Sequence, residues 1–174
     1  MTQAVFRVLV RSVDWEAVIE KLSDLISRTA QPGRVTWIGL RPDRREDLVS
    51  VPEVEIDDRG LVGDHGTSVK RAVTLVQAEH LAAIGSFLGR GPVDPAALRR
   101  NIVVEGVNLL TLRKRQVKIG QVHLQITGLC APCSRMEEAF GEGGYGAVRG
   151  HGGVTAEVIH PGSIQIGDVV TPLD

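Results

Sequence analysis

From residue 34 onward the chain breaks into short β-branched and aliphatic runs separated by turn-forming triplets, and this pattern constrains the fold more than any other feature. Runs at 35–40, 49–56, 72–76, 102–104, 117–119, 122–126, 154–159 and 163–170 have the length and composition of strands. Asp58-Arg-Gly, Ile119-Gly-Gln and His160-Pro-Gly supply tight connections between them. Eight short strands in close succession predict a barrel or a strongly coiled sheet. Three short helices are expected among them. Residues 77–88 place Leu81, Ile84 and Leu88 on one side, and 95–100 begin with Asp94 as N-cap and Pro95 in the first helical position. Residues 134–140 open with Ser134 and carry Glu137 three positions on, the spacing of a capping box. Helices and strands do not alternate regularly, which argues against a doubly wound sheet. Ahead of this pattern, residues 4–10 read as a strand. Trp15, Val18, Ile19, Leu22, Leu25 and Ile26 then recur at helical spacing between Asp14 and the Gln31-Pro32-Gly33 break. The expected architecture is mainly β (α+β), with a strand–helix extension at 1–33 and one barrel domain at 34–174.

Composition narrows the partners. With 20 Lys+Arg against 21 Asp+Glu, the net charge of −1 gives no general attraction to nucleic acid or anionic membrane. Aromatic residues at 3% provide no stacking platform for single strands. No apolar run approaches the roughly 20 residues of a bilayer span. The opening MTQAVFRVLVRS interrupts its apolar run with Arg7 and Arg11 and lacks a small-residue cleavage site, so a signal peptide is not expected. Two cysteines are too few for a disulfide-built fold. These features predict a cytoplasmic protein that acts on a small molecule.

Chemistry concentrates in Gly128-Leu-Cys-Ala-Pro-Cys133-Ser-Arg-Met-Glu137, which follows a strand and opens a helix. Placed just before a helix N-terminus, with Arg135 nearby, Cys133 is set to favour its thiolate, the form that attacks electrophiles and binds metals. Cys130 would lie nearer the strand. Other readings of the pair stay open. A thioredoxin-like redox motif needs a βαβ context that is not evident, and a zinc site from Cys130, Cys133, His151 and His160 has no recognisable ligand spacing. Either thiol can also serve as a small buried hydrophobe.

Three further stretches are candidates. The segment 141–153 holds seven glycines in 13 residues and can present Arg149 and His151, or simply join helix to strand. It lacks the Gly-Lys-Ser/Thr of a phosphate-binding loop, and it trails a helix instead of linking strand to helix as a dinucleotide fingerprint does. Arg99 and Arg100, before Asn101, are placed to hold a phosphate or to cap a helix C-terminus. The loop Gly60-Leu-Val-Gly-Asp-His65-Gly carries a His and an Asp close to Lys70-Arg71. His80, on a predicted helix, and His123, on a predicted strand, read as surface or core residues.

In this order the pieces resemble a MOSC domain, the module shared by the C-terminal part of molybdenum cofactor sulfurases and by small stand-alone proteins. The resemblance runs from about residue 35 to residue 170. It rests on Gly60-Leu-Val-Gly-Asp-His, Arg71-Ala-Val-Thr-Leu-Val, Leu98-Arg-Arg-Asn-Ile-Val-Val-Glu-Gly-Val-Asn-Leu-Leu, Gly128-Leu-Cys-Ala-Pro-Cys, and Gly152-Gly-Val-Thr-Ala-Glu-Val with Gly162-Ser-Ile-Gln-Ile-Gly-Asp168. The resemblance implies a mostly β fold around a barrel and a cysteine that ligates molybdenum or carries sulfur, the role that matches Cys133. It implies a molybdenum cofactor of the molybdopterin type, with Arg99 at the position that helps hold the cofactor phosphate and His65, Arg71 and Asn101 around the same pocket. The activity implied is reduction of N-hydroxylated or other N–O compounds, with electrons from an external reductase. Two alternatives accompany it: a sulfur carrier with a persulfide on Cys133, fed by a sulfur donor, and a non-catalytic cofactor-binding module. Pyridoxal phosphate belongs to the separate sulfurase domain and is not expected, since Lys70, Lys114 and Lys118 have no Schiff-base context. Larger members add an N-terminal β-barrel domain to the cofactor cleft, where this chain has about 33 residues of strand and helix.

Overall fold

The computed structural model describes residues 14–66 and 68–173. The strand expected at 4–10 lies outside the described residues. The first helix, α1 (Trp15–Ser27), forms as its spacing predicts. Its apolar residues Trp15, Ile19, Leu22 and Leu25 are exposed, and its end is tied to the rest by Arg115 Nη1, which donates to the Ser27 carbonyl at 2.7 Å.

The strands are β1 (Gly33–Leu40), β2 (Val49–Ser50), β3 (Glu53–Asp57), β4 (Gly60–Leu61), β5 (Val73–Gln77), β6 (Ile102–Glu105), β7 (Gln116–Ile119), β8 (Val122–Leu129), β9 (Val154–His160), β10 (Gly162–Gln165) and β11 (Val169–Leu173). Seven of them run β1-β11-β7-β8-β9-β5-β6 and back to β1, closing a barrel. Among the described residues only β5 and β6 pair in parallel; the other pairs of the barrel are antiparallel. The mainly β barrel expected from the sequence is therefore the observed architecture. Two predicted strands are each split in two. Pro52, with no N–H for the ladder, falls between β2 and β3, and the turn at Ile166-Gly167-Asp168 separates β10 from β11.

Period-2 alternation decides which side chains fill the barrel. Leu75, Ile102 and Val104 point inward with Leu124, Ile126, Val154 and Ala156, all fully buried. A second small sheet, in the order β10-β3-β4, adds Val54, Ile56, Leu61 and Ile164 to this core. The alternate residues Val76 and Val103 point outward into a second cluster with Leu81, Ile84, Leu98, Met136 and Val148. That outer cluster is covered by α2 (Ala78–Phe87), α3 (Pro95–Leu98), α4 (Arg135–Phe140) and α5 (Gly144–Val148).

The helix ends bear on the site. Asp94 caps α3 as expected, its Oδ1 accepting from Ala96 N at 2.9 Å. α3 stops at Arg99, whose φ of 55° lies in the left-handed region, two residues short of the predicted end. The capping box predicted at Ser134 does not form: Ser134 is itself helical and its hydroxyl caps nothing. Glu137 instead reaches forward, accepting from Gly143 N and Tyr145 N at 2.7 Å each, and these bonds hold its carboxyl below the usual range. They fix α5 inside the glycine-rich segment, where the sequence predicts no helix.

Candidate functional site

Four stretches converge on a cavity of about 400 Å³: Arg41 just after β1, His65 and Arg71 ahead of β5, Leu98–Arg100 between α3 and β6, and Leu129–Met136 between β8 and α4. Its walls carry five guanidiniums, those of Arg41, Arg71, Arg99, Arg100 and Arg135. Cys133 is exposed in this cavity, whereas Cys130 is buried, and neither is in a disulfide. Of the residues predicted to act, Cys133, Arg99, Arg71 and His65 are therefore brought together.

Two are not part of this wall. Asn101 is fully buried behind it: its Oδ1 accepts from Thr74 N (3.1 Å), Thr74 Oγ1 (2.8 Å) and Arg41 Nη2 (3.2 Å), and its Nδ2 donates to the Gly39 carbonyl (3.3 Å). It acts on the cavity through Arg41. Arg149, at the end of α5, is exposed to solvent and does not line the cavity.

Arg41, which sequence reasoning missed, is fixed twice over. Its Nε donates to Asp64 Oδ1 at 2.9 Å and its Nη2 to Asp64 Oδ2 at 2.5 Å, the fork-to-carboxylate geometry of a bidentate pair. The only signal for it in the sequence is an arginine directly after a strand and before Pro42.

Arg100 is buried, and among the described residues its donors go to backbone carbonyls. Its Nε donates to the Gly152 carbonyl (2.7 Å), its Nη1 to Leu98 (2.6 Å) and its Nη2 to Cys130 (3.5 Å). It thus joins the end of α3, the cysteine loop and the glycine segment. Burial lowers its pKa below the ordinary guanidinium value, and the neighbouring charges of Arg41 and Arg71 add to that shift. Gly153 completes the junction. Its carbonyl accepts from Cys130 N at 2.9 Å, its φ is +85°, and a Cβ there would stand 2.0 Å from the Leu75 carbonyl oxygen.

Arg99 is the guanidinium with a free hand. Its Nη1 donates to the Glu46 carbonyl at 2.5 Å, while its Nη2 is buried without a hydrogen-bond partner. Burial lowers its pKa, and the charges of Arg135 and Arg41 lower it further. The cavity thus brings five guanidiniums, one unsatisfied donor and an exposed thiol to one space, a concentration of positive charge that suits anions.

The remaining histidines pair with each other away from this wall. The His80 and His151 rings meet edge-on at 4.7 Å, and those of His123 and His160 lie 5.4 Å apart. Cys130, Cys133, His151 and His160 do not come together, and among the described residues no group of three or more His, Cys, Asp or Glu side chains is placed to hold a metal ion.

The sequence profile of the MOSC domain matches residues 62–171, which include the cysteine loop, the paired arginines and the histidine loop. The chain belongs to the MOSC-domain family. Solved structures with the same barrel agree. The YuaD protein from Bacillus subtilis superposes with a TM-score of 0.72 at 16% identity, over 80% of this chain and 94% of that one. YiiM from Geobacillus stearothermophilus gives 0.70 at 17% identity, over 82% and 76%. YiiM from Escherichia coli gives 0.64 at 19%, over 81% and 70%. No curated protein matches the sequence. At these identities the likeness shows a shared fold. No helix among the described residues is long and apolar enough to cross a membrane.

Proposed function

We propose that the cavity holds a molybdenum cofactor of the pterin type, with the Cys133 thiolate as the protein ligand to the metal and Arg99 donating to the pterin phosphate. The observation that carries this reading is the sharing of one cavity by an exposed cysteine and five arginines. The donor set fits the group: a soft thiolate suits molybdenum, and the partnerless, buried Arg99 Nη2 suits a phosphate oxygen. When bound, such a cofactor supplies two-electron redox chemistry at the metal, here directed to reduction of N-hydroxylated or other N–O compounds with electrons from a separate reductase.

The chain's own residues divide the work. Arg99 offers donors. Arg100 has its donors committed to carbonyls, so it contributes charge and holds the cysteine loop against the glycine segment. Arg41 is oriented by Asp64 and Asn101 and brings its guanidinium to the same cavity. Cys133 stands exposed, which leaves a small substrate room to approach the sulfur side of the cavity.

The test is elemental analysis of protein made in a host that synthesises the cofactor, with Cys133→Ala prepared alongside. The expected result is one molybdenum per chain, lost in the variant. Metal content unchanged in Cys133→Ala overturns the assignment. Metal absent from both, with sulfane sulfur on Cys133 by mass spectrometry, replaces it with the sulfur-carrier reading.

A further inference from the structure

A second cavity of about 460 Å³ adjoins the first. Its walls include Arg45, Arg99, Arg135, Met136 and Glu138, and three of these (Arg99, Arg135 and Met136) also line the thiol-bearing cavity. The two spaces therefore meet at the Arg99 side chain. Three guanidiniums here face one carboxylate, that of Glu138, so the second space is also cationic. Arg45, Arg99 and Lys114 are the only non-glycine residues among those described with left-handed backbone, and both arginines line this cavity, with φ of 72° and 55°. Unfavourable backbone conformations persist where the surroundings over-determine them, and they gather at ligand-binding sites. Nothing assigned to the first cavity uses Arg45 or the space beside it.

We propose that the second cavity receives a second phosphoryl group of the ligand whose first phosphoryl group lies in the thiol-bearing cavity, so that the site binds a diphosphate ester. This deepens the reading above and rests on it for the anion in the first cavity. Two separate phosphates flanking one arginine would repel each other, whereas a diphosphate has the close spacing built into its covalent bonds. Arg99 is the natural bridge, because Nη1 is fixed on Glu46 and Nη2 is left to donate. Arg45 and Arg135 then neutralise the outer phosphoryl group, against the opposing charge of Glu138.

Calorimetric titration of the full chain with inorganic phosphate and with pyrophosphate, at fixed ionic strength, tests this. Pyrophosphate is expected to bind at least about tenfold more tightly than phosphate. Arg45→Gln, at an exposed position, should remove most of that preference while leaving phosphate binding within about twofold, and Glu138→Gln should strengthen pyrophosphate binding. Equal affinities, no binding of either anion, or a preference that survives Arg45→Gln overturns the proposal. A nucleoside diphosphate as competitor separates the sources: competition equal to pyrophosphate marks a ligand that carries a nucleoside on the diphosphate, and competition weaker by about tenfold or more excludes one. No metal enters these titrations, so a failure here is distinct from a failure of the molybdenum measurement.

Discussion

Asp64, whose side chain is only 1% exposed, accepts both arms of the Arg41 guanidinium and also the Arg41 backbone N–H at 2.7 Å. The carboxylate thus locks the exit of β1 to the loop that carries His65. Burial alone would raise the Asp64 carboxyl; the hydrogen bonds and charge of Arg41, with the Gly66 N–H, outweigh it and hold the pKa below 3.8. Asp64→Ala should cost about 3 kcal/mol, because it strands a largely buried guanidinium. A depressed carboxyl stabilises the fold above its unfolded value and loses that contribution as pH falls through the folded one. Wild-type stability should therefore decline below about pH 4 more steeply than that of Asp64→Ala, read by chemical denaturation at several pH values.

Arg100→Met keeps the length of the side chain and removes three donors from buried carbonyls. A loss of about 2–4 kcal/mol is expected, since each carbonyl loses its partner without gaining water. Arg100→Lys should recover only part of it, because one ammonium does not reproduce the planar fork. Equal stability of wild type and Arg100→Met in urea would contradict this role.

Gly153→Ala combines a positive φ with a clash against the Leu75 carbonyl oxygen, on the backbone of a central barrel strand. Destabilisation of more than about 2 kcal/mol is expected. Gly150→Ala is the control. Its φ is also positive, at 86°, but nothing lies within 4 Å of the added Cβ, so its cost should be clearly smaller.

His80 carries a second pH response. Burial lowers its pKa below 6.5, and the neighbouring His151 lowers it further, against smaller opposing effects from the His151 backbone and Glu79. The unfolded chain then takes up the proton first, so stability is unaffected above 6.5 and falls as pH drops below it. Thermal melts between pH 7.5 and 5.5 should show a steeper decline for wild type than for His80→Gln. Parallel declines would rule out His80 as the source.

The fold was legible where one rule governed each residue. Leu75 and Val76, or Ile102 and Val103, alternate between inside and outside, and that alternation needs no knowledge of distant partners. The helix α5 was hidden because Gly143, Gly144 and Gly146 oppose helix formation locally, and it is held by Glu137 reaching forward from α4 and by the burial of Ala147 and Val148. At the site, Cys133, Arg99, Arg71 and His65 lie in recognisable motifs and share the cavity wall. Arg41 was not legible. Its partners Asp64 and Asn101 are 23 and 60 residues away, and no local pattern brings them together. The same long-range packing explains why Asn101 stands behind the cavity and Arg149 outside it.

The barrel's seam joins β1 to β11 through the pairs Gly33 with Val170 and Arg34 with Val169. Because these strands are so far apart in the chain, a ribosome must release nearly all of the described sequence before the ring can shut. Until then β1 and β7 present open edges to other nascent chains. Folding is thereby placed on the slow side of the topological scale, milliseconds to seconds for strand-rich barrels. The yield of soluble protein will accordingly depend on how quickly this short seam forms.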